Sequence, residues 1–204
     1  RRVLFRSSRL NTKLPDGTTV GLLQETDYPW KGRVELTVTE APNRKMTLRL
    51  RIPGWADGAT VSINGQKKIF SHSPGTYLPL NRRWKKGDEV VLELPMRVRL
   101  MEAHPAADNL DEKVAVMRGP LVYCLELPRK SGGQKTWDNG IFLPGNVKLQ
   151  PRHRPDMLGG VTVLDGAALT REGRKHFKEI NPAPRIDEGS WCNELYREYS
   201  PTPE

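Results

Sequence analysis

The sequence predicts an all-β chain of two tandem antiparallel β-sandwich domains, the second of them incomplete. Three observations carry that prediction. From Thr18 to Leu100, apolar and polar residues alternate in short runs, the period-2 pattern of strands with one buried face. Turn residues, chiefly Asn64-Gly65 and Lys86-Gly87-Asp88, punctuate those runs. None of the runs has the 3.6-residue period of an amphipathic helix.

Taken in order, "VELTV" puts Val34, Leu36 and Val38 on one face and Glu35 and Thr37 on the other. "TLRLRI" sets Leu48, Leu50 and Ile52 against Thr47, Arg49 and Arg51, which are expected to line a solvated face. Pro53-Gly54 ends that strand, turns the chain and delivers Trp55 beside the sheet end. In "TVSINGQKKIF", Asn64-Gly65 tolerates the positive φ angles of a type I′ hairpin turn. "GTYLPL" and "DEVVLELPMRVRL" supply later strands, and Pro53, Pro79 and Pro95 belong at edges, bulges or strand ends because they cannot donate to a ladder.

A second module begins near Val98. In "KVAVMRGPLVYCLEL", Val114 and Val116 form a short strand, Gly119-Pro120 break it, and Leu121 to Leu127 form another that contains Cys124. Pro128 to Pro155 reads as loop with short extended pieces such as "NVKLQ", and "GVTVLDGAAL" restores a strand from Gly160 to Leu169. From Arg171 to Glu204 the chain is polar and turn-rich, with only "CNELYREY" offering helix or strand. The domains expected are therefore 8–97 and 98–204, a size common for sandwiches.

The 204 residues carry 33 basic and 24 acidic side chains, a net charge of +9. Three of the arginines sit in the opening "RRVLFRS", which back-translates as AGA CGT GTG CTC TTC CGA TCT and resembles the end of a sequencing adapter; residues 1–7 are expected to be non-native. With 30 basic against 24 acidic residues left, the rest carries +6. Arg44-Lys45 and Arg82-Arg83 with Lys85-Lys86 read as solvated turn ends, and without a nucleic-acid-binding motif they imply no nucleic acid. No apolar run approaches the ~20 residues of a bilayer span, so no membrane partner is expected. An export signal would belong upstream, and the sequence assigns no compartment.

Chemistry is hard to find. HExxH, P-loop, GxSxG and GxGxxG motifs are all lacking. His72, His104, His153 and His176 are scattered, and none has the spaced partners of a metal site. Glu25 and Asp27 in "QETDYPW" are the most suggestive carboxylates for a glycosidase pair, but Asp27 before Tyr28-Pro29 fits a turn residue better. Cys124 reads as a small buried hydrophobe, and Cys192 receives no role. Two such dissimilar cysteines make no disulfide framework or metal site. The sharper idea concerns Trp30, Trp55 and Trp84, whose rings are either core residues or platforms for the C–H faces of sugars.

Four phrases in order, "QETDYPWKGRVELTV", "LRLRIPGWADGATVSINGQ", "GTYLPLNRRWKKGDEVVLELPM" and "KVAVMRGPLVYCLE", resemble the region after the catalytic barrel in glycoside hydrolase family 127, the β-L-arabinofuranosidase-like proteins. The resemblance covers residues 8 to 127 and continues less specifically through "LGGVTVLDGAAL" and "ELYREY". It implies that an N-terminal (α/α)6 barrel precedes Ser8, that this chain holds the middle and C-terminal β-sandwich domains, and that it stops before the family's closing aromatic-rich strands. It further implies retaining hydrolysis by a thiolate at a zinc site with assisting glutamates, all in the barrel. No cofactor, metal ligand or catalytic residue is thus expected in this chain, and Cys124 and Cys192 inherit none. The implied partners are the chain's own barrel, a second copy in a homodimer, and arabinose-containing glycans for the parent enzyme.

Overall fold

The computed structural model describes residues 7–68, 73–107, 110, 113–125, 141–169 and 195–199. The chain divides into two compact units, Arg1–Arg97 with Gly119–Leu121, and Val98–Arg118 with Val122–Glu204. Both are built from antiparallel strands, and the described residues contain no α-helix.

In the first unit β1 (Ser8–Lys13), β2 (Thr19–Thr26) and β3 (Arg33–Glu40) form a meander. β4 (Lys45–Arg51) then leaves it, while β5 (Thr60–Ile63) and β6 (Gln66–Lys68) form the hairpin whose turn is Asn64-Gly65. Both turn residues have positive φ, 50° and 76°, as a type I′ turn requires. β7 (Tyr77–Arg83) pairs with β4, and β8 (Glu89–Glu93) inserts between β3 and β5. The result is a six-stranded sheet of order β1-β2-β3-β8-β5-β6 and a two-stranded β4-β7 sheet.

One apolar cluster joins the two sheets. Leu50, Ile52, Leu78 and Leu80 from the small sheet bury with Val38, Val61, Ile63, Val90 and Leu92 from the large one. The alternation read from "VELTV" and "TLRLRI" is realised here: Val38 and Leu50 are buried, whereas Thr47, Arg49 and Arg51 are exposed. Gly32 permits a close approach at the start of β3, where a Cβ would run into the Leu94 carbonyl that follows β8. Pro79 sits in β7, an edge strand, where its lack of an N–H breaks no central ladder.

In the second unit β9 (Val98–Ala103) lies between β10 (Val114–Arg118) and β14 (Tyr196–Glu198), and β11 (Leu121–Tyr123) flanks β10. β12 (Gln150–Arg154) and β13 (Val161–Asp165) form a separate hairpin. Three expectations need correction. β12 runs through a stretch read as loop, because "QPRHR" is mostly exposed and has no apolar alternation to reveal a strand; its register is set by pairing, with Arg152 bound to Asp165. β13 ends at Asp165, and Leu169 makes only a single bridge with Phe142. β11 ends at Tyr123, so Cys124 lies past the strand and is exposed rather than buried. The expected strand end at Leu127 and residues 171–194 and 200–204 of the polar tail lie outside the described residues.

Candidate functional site

Of the five tryptophans, Trp30, Trp55 and Trp84 lie among the described residues, and these three occupy different environments. Trp84 follows β7 and is 3% exposed; its indole N–H donates to the Met46 carbonyl at 2.9 Å, and the Arg82 guanidinium lies 5.1 Å above its ring. This ring has no face to offer a sugar, so the platform reading is corrected at Trp84. Trp55 follows the turn that Pro53 opens, where Ala56 N–H donates to the Pro53 carbonyl, and packs half-buried against the core. Only Trp30 is substantially open, at 40%.

Trp30 is held by the β2–β3 turn. Asp27 accepts at its carbonyl from the N–H groups of Trp30 and Lys31, and its carboxylate pairs with Lys31 at 3.0 Å. Thr26 Oγ1 accepts from Tyr28 N–H and donates to the Arg33 carbonyl, closing the turn. The neighbouring Tyr28 packs on the core, and burial raises the pKa of its hydroxyl. Asp27 is therefore a turn residue. Glu25, in β2, stands opposite Glu35 and points a carboxylate to solvent.

The polar cluster around Asp88 is structural. Asp88 is 7% exposed and accepts from Asn64 Nδ2 and Lys85 N–H, both at 2.8 Å, with Arg82 at 3.6 Å. Asn64 in turn accepts from Glu89 N–H at 2.8 Å. Burial opposes ionisation of Asp88, but these hydrogen bonds, with the charges of Arg82 and Lys85, outweigh it and hold the carboxyl below its ordinary value. The network ties the β5–β6 turn to the β7–β8 turn.

His104 accepts at Nδ1 from Ala106 N–H, and His153 lies exposed in β12. His72, His176 and Cys192 lie outside the described residues. Among the described residues no three His, Cys, Asp or Glu side chains come together as metal ligands. They do not fit a zinc centre. No helix among them is long and apolar enough to cross a membrane. The basic clusters sit at strand ends and in the adjoining turns: Lys45 opens β4, Arg82 and Arg83 close β7, Lys85 and Lys86 lie in the β7–β8 turn, and Arg44, just before β4, pairs with Asp16 at 2.6 Å.

The sequence matches the family model for the β-L-arabinofuranosidase GH127 middle domain over residues 2–96. Residues 98–157 match the glycoside hydrolase family 127 C-terminal domain. The chain belongs to glycoside hydrolase family 127. A curated relative in Bifidobacterium longum, a non-reducing end β-L-arabinofuranosidase, is 35% identical over 171 residues, which is 80% of this chain and 25% of that protein. Among solved structures, a GH127 β-L-arabinofuranosidase from Geobacillus stearothermophilus T6 is 40% identical with a TM-score of 0.71 over 97% of this chain and 28% of its own. Another, described as a glycoside hydrolase, is 35% identical with a TM-score of 0.72, covering 96% of this chain and 30% of its own. The chain thus spans about a quarter of the length of the curated relative it matches.

Proposed function

We propose that this chain is the non-catalytic β-sandwich region of a β-L-arabinofuranosidase-like glycoside hydrolase, bracing an (α/α)6 catalytic barrel carried elsewhere in a longer protein. The observation that carries this reading is the match to the family's middle and C-terminal domains, in a chain whose buried polar cluster around Asp88 is engaged in holding turns. In this reading the zinc and the nucleophilic thiolate belong to the barrel, the sandwiches contribute to a homodimer, and the parent acts on arabinose-containing glycans.

The test is made in a full-length relative such as the Geobacillus enzyme. Deleting the region equivalent to residues 8–204 is expected to yield an unstable or inactive barrel and to change its oligomeric state by size-exclusion chromatography with light scattering. A deletion that stays folded, keeps its oligomeric state and keeps full activity contradicts the proposal.

A second reading, a carbohydrate-binding module, is favoured by one observation, the exposure of the Trp30 ring. It predicts a change in tryptophan fluorescence when arabino-oligosaccharides are added at millimolar concentration, lost in Trp30→Ala. An unchanged spectrum assigns Trp30 to the turn alone.

A further inference from the structure

The outer face of the β4-β7 sheet is strongly basic, and its charges are arranged against local stability. Along β4, Lys45, Thr47, Arg49 and Arg51 point outward; across from them stand Arg83, Asn81, Pro79 and Tyr77 of β7. All eight are exposed, while the opposite face fills the core. Among the described residues none of these four cations makes an ion pair, although Lys31, Arg33, Arg44, Arg82 and Arg97 of the same unit each have a carboxylate. Lys45 and Arg83 stand directly opposite each other, and like charges so placed in an antiparallel pair repel. A local choice that works against the fold points to a demand from outside it.

The partner can be narrowed by chemistry. Six residue steps of strand lead from Lys45 to Arg51, about 20 Å at the usual rise, so the face is long and narrow. It suits a linear polyanion. Arginine forks take planar carboxylates through paired hydrogen bonds, and three of the four cations are arginines. At one end Tyr77, 60% exposed, lies under the Arg51 guanidinium at 5.4 Å, and Arg51 also reaches the carbonyls of Ile52 and Thr76. That fixes an open aromatic ring beside the charges, a surface for the apolar face of a sugar. A single-stranded nucleic acid would need successive aromatic platforms, and this face has one.

We propose that the β4-β7 face binds a carboxylate-bearing polysaccharide, a polyuronate, so that the enzyme containing this region is held on acidic arabinose-bearing glycans. The link to such glycans rests on the reading of the chain as part of an arabinofuranosidase-like enzyme; the binding itself does not.

The experiment is affinity electrophoresis and calorimetric titration of the whole 204-residue chain with polygalacturonate, neutral arabinan and a DNA duplex of matched charge. The expected result is binding to polygalacturonate that weakens with added sodium chloride, no binding to arabinan, and weaker binding to DNA. Combining Lys45→Ser, Arg49→Ser, Arg51→Ser and Arg83→Ser is expected to weaken polygalacturonate binding about tenfold or more. Replacing the three arginines by lysine keeps the charge, and, with the fold checked by circular dichroism, is expected to weaken binding severalfold because the forks are lost. No binding of the unmodified chain, equal binding by the serine variant, or tighter binding to DNA overturns the proposal. Such a failure leaves the bracing role untouched, since that role is read from deletion in a full-length relative.

Discussion

Asp88 shows how one residue couples charge to stability. Its carboxylate accepts from Asn64 and Lys85, and Asp88→Ala leaves both donors without an acceptor, a loss expected at about 2 kcal/mol in urea unfolding. The pH dependence has a definite sign. The folded pKa lies below the unfolded value, so the stabilisation is fully present above the ordinary carboxylate range and is lost as pH falls through the folded value. Asp16, held at about 2 first by its hydrogen bond with Arg44, acts with the same sign. The melting temperature is therefore expected to fall on acidification below about pH 4, and to fall less steeply in Asp88→Asn. Residue-scale roles were only partly legible in the sequence. A tryptophan after a strand reads the same whether buried or open, and what separates Trp84 from Trp30 is a distant partner, the Met46 carbonyl, that no local pattern announces.

At the scale of elements, legibility followed burial. β4, β7 and β5 each press one face on the core, so their alternation was visible as text, as was the Asn64-Gly65 turn that follows β5. β12 has no buried face and was hidden for that reason. The turn glycines divide in the same way. Gly32 is required by the Leu94 carbonyl beside it, whereas Gly54 has open space around it and no positive φ. Gly32→Ala is expected to destabilise by roughly 1–3 kcal/mol and Gly54→Ala by less than about 0.5 kcal/mol, measured by urea unfolding. Equal effects would mean that the β3–β8 approach is looser than described.

At the scale of the whole molecule, every residue in the buried apolar cluster belongs to the first unit, where two sheets close on Val38, Ile52, Val61 and Val90. The fold class was legible because such a core imposes a period on the sequence. The functional residues were less so: an absent motif can be read, but a basic sheet face looks like ordinary solvated charge until β7 places Arg83 across from Lys45. In the function proposed above, these residues form a β scaffold without cleavage chemistry of their own. Its most direct measurement is release of nitrophenol from 4-nitrophenyl β-L-arabinofuranoside by the purified chain, with zinc and reductant supplied. A rate indistinguishable from buffer is expected; turnover that scales with the concentration of the chain would contradict the scaffold role.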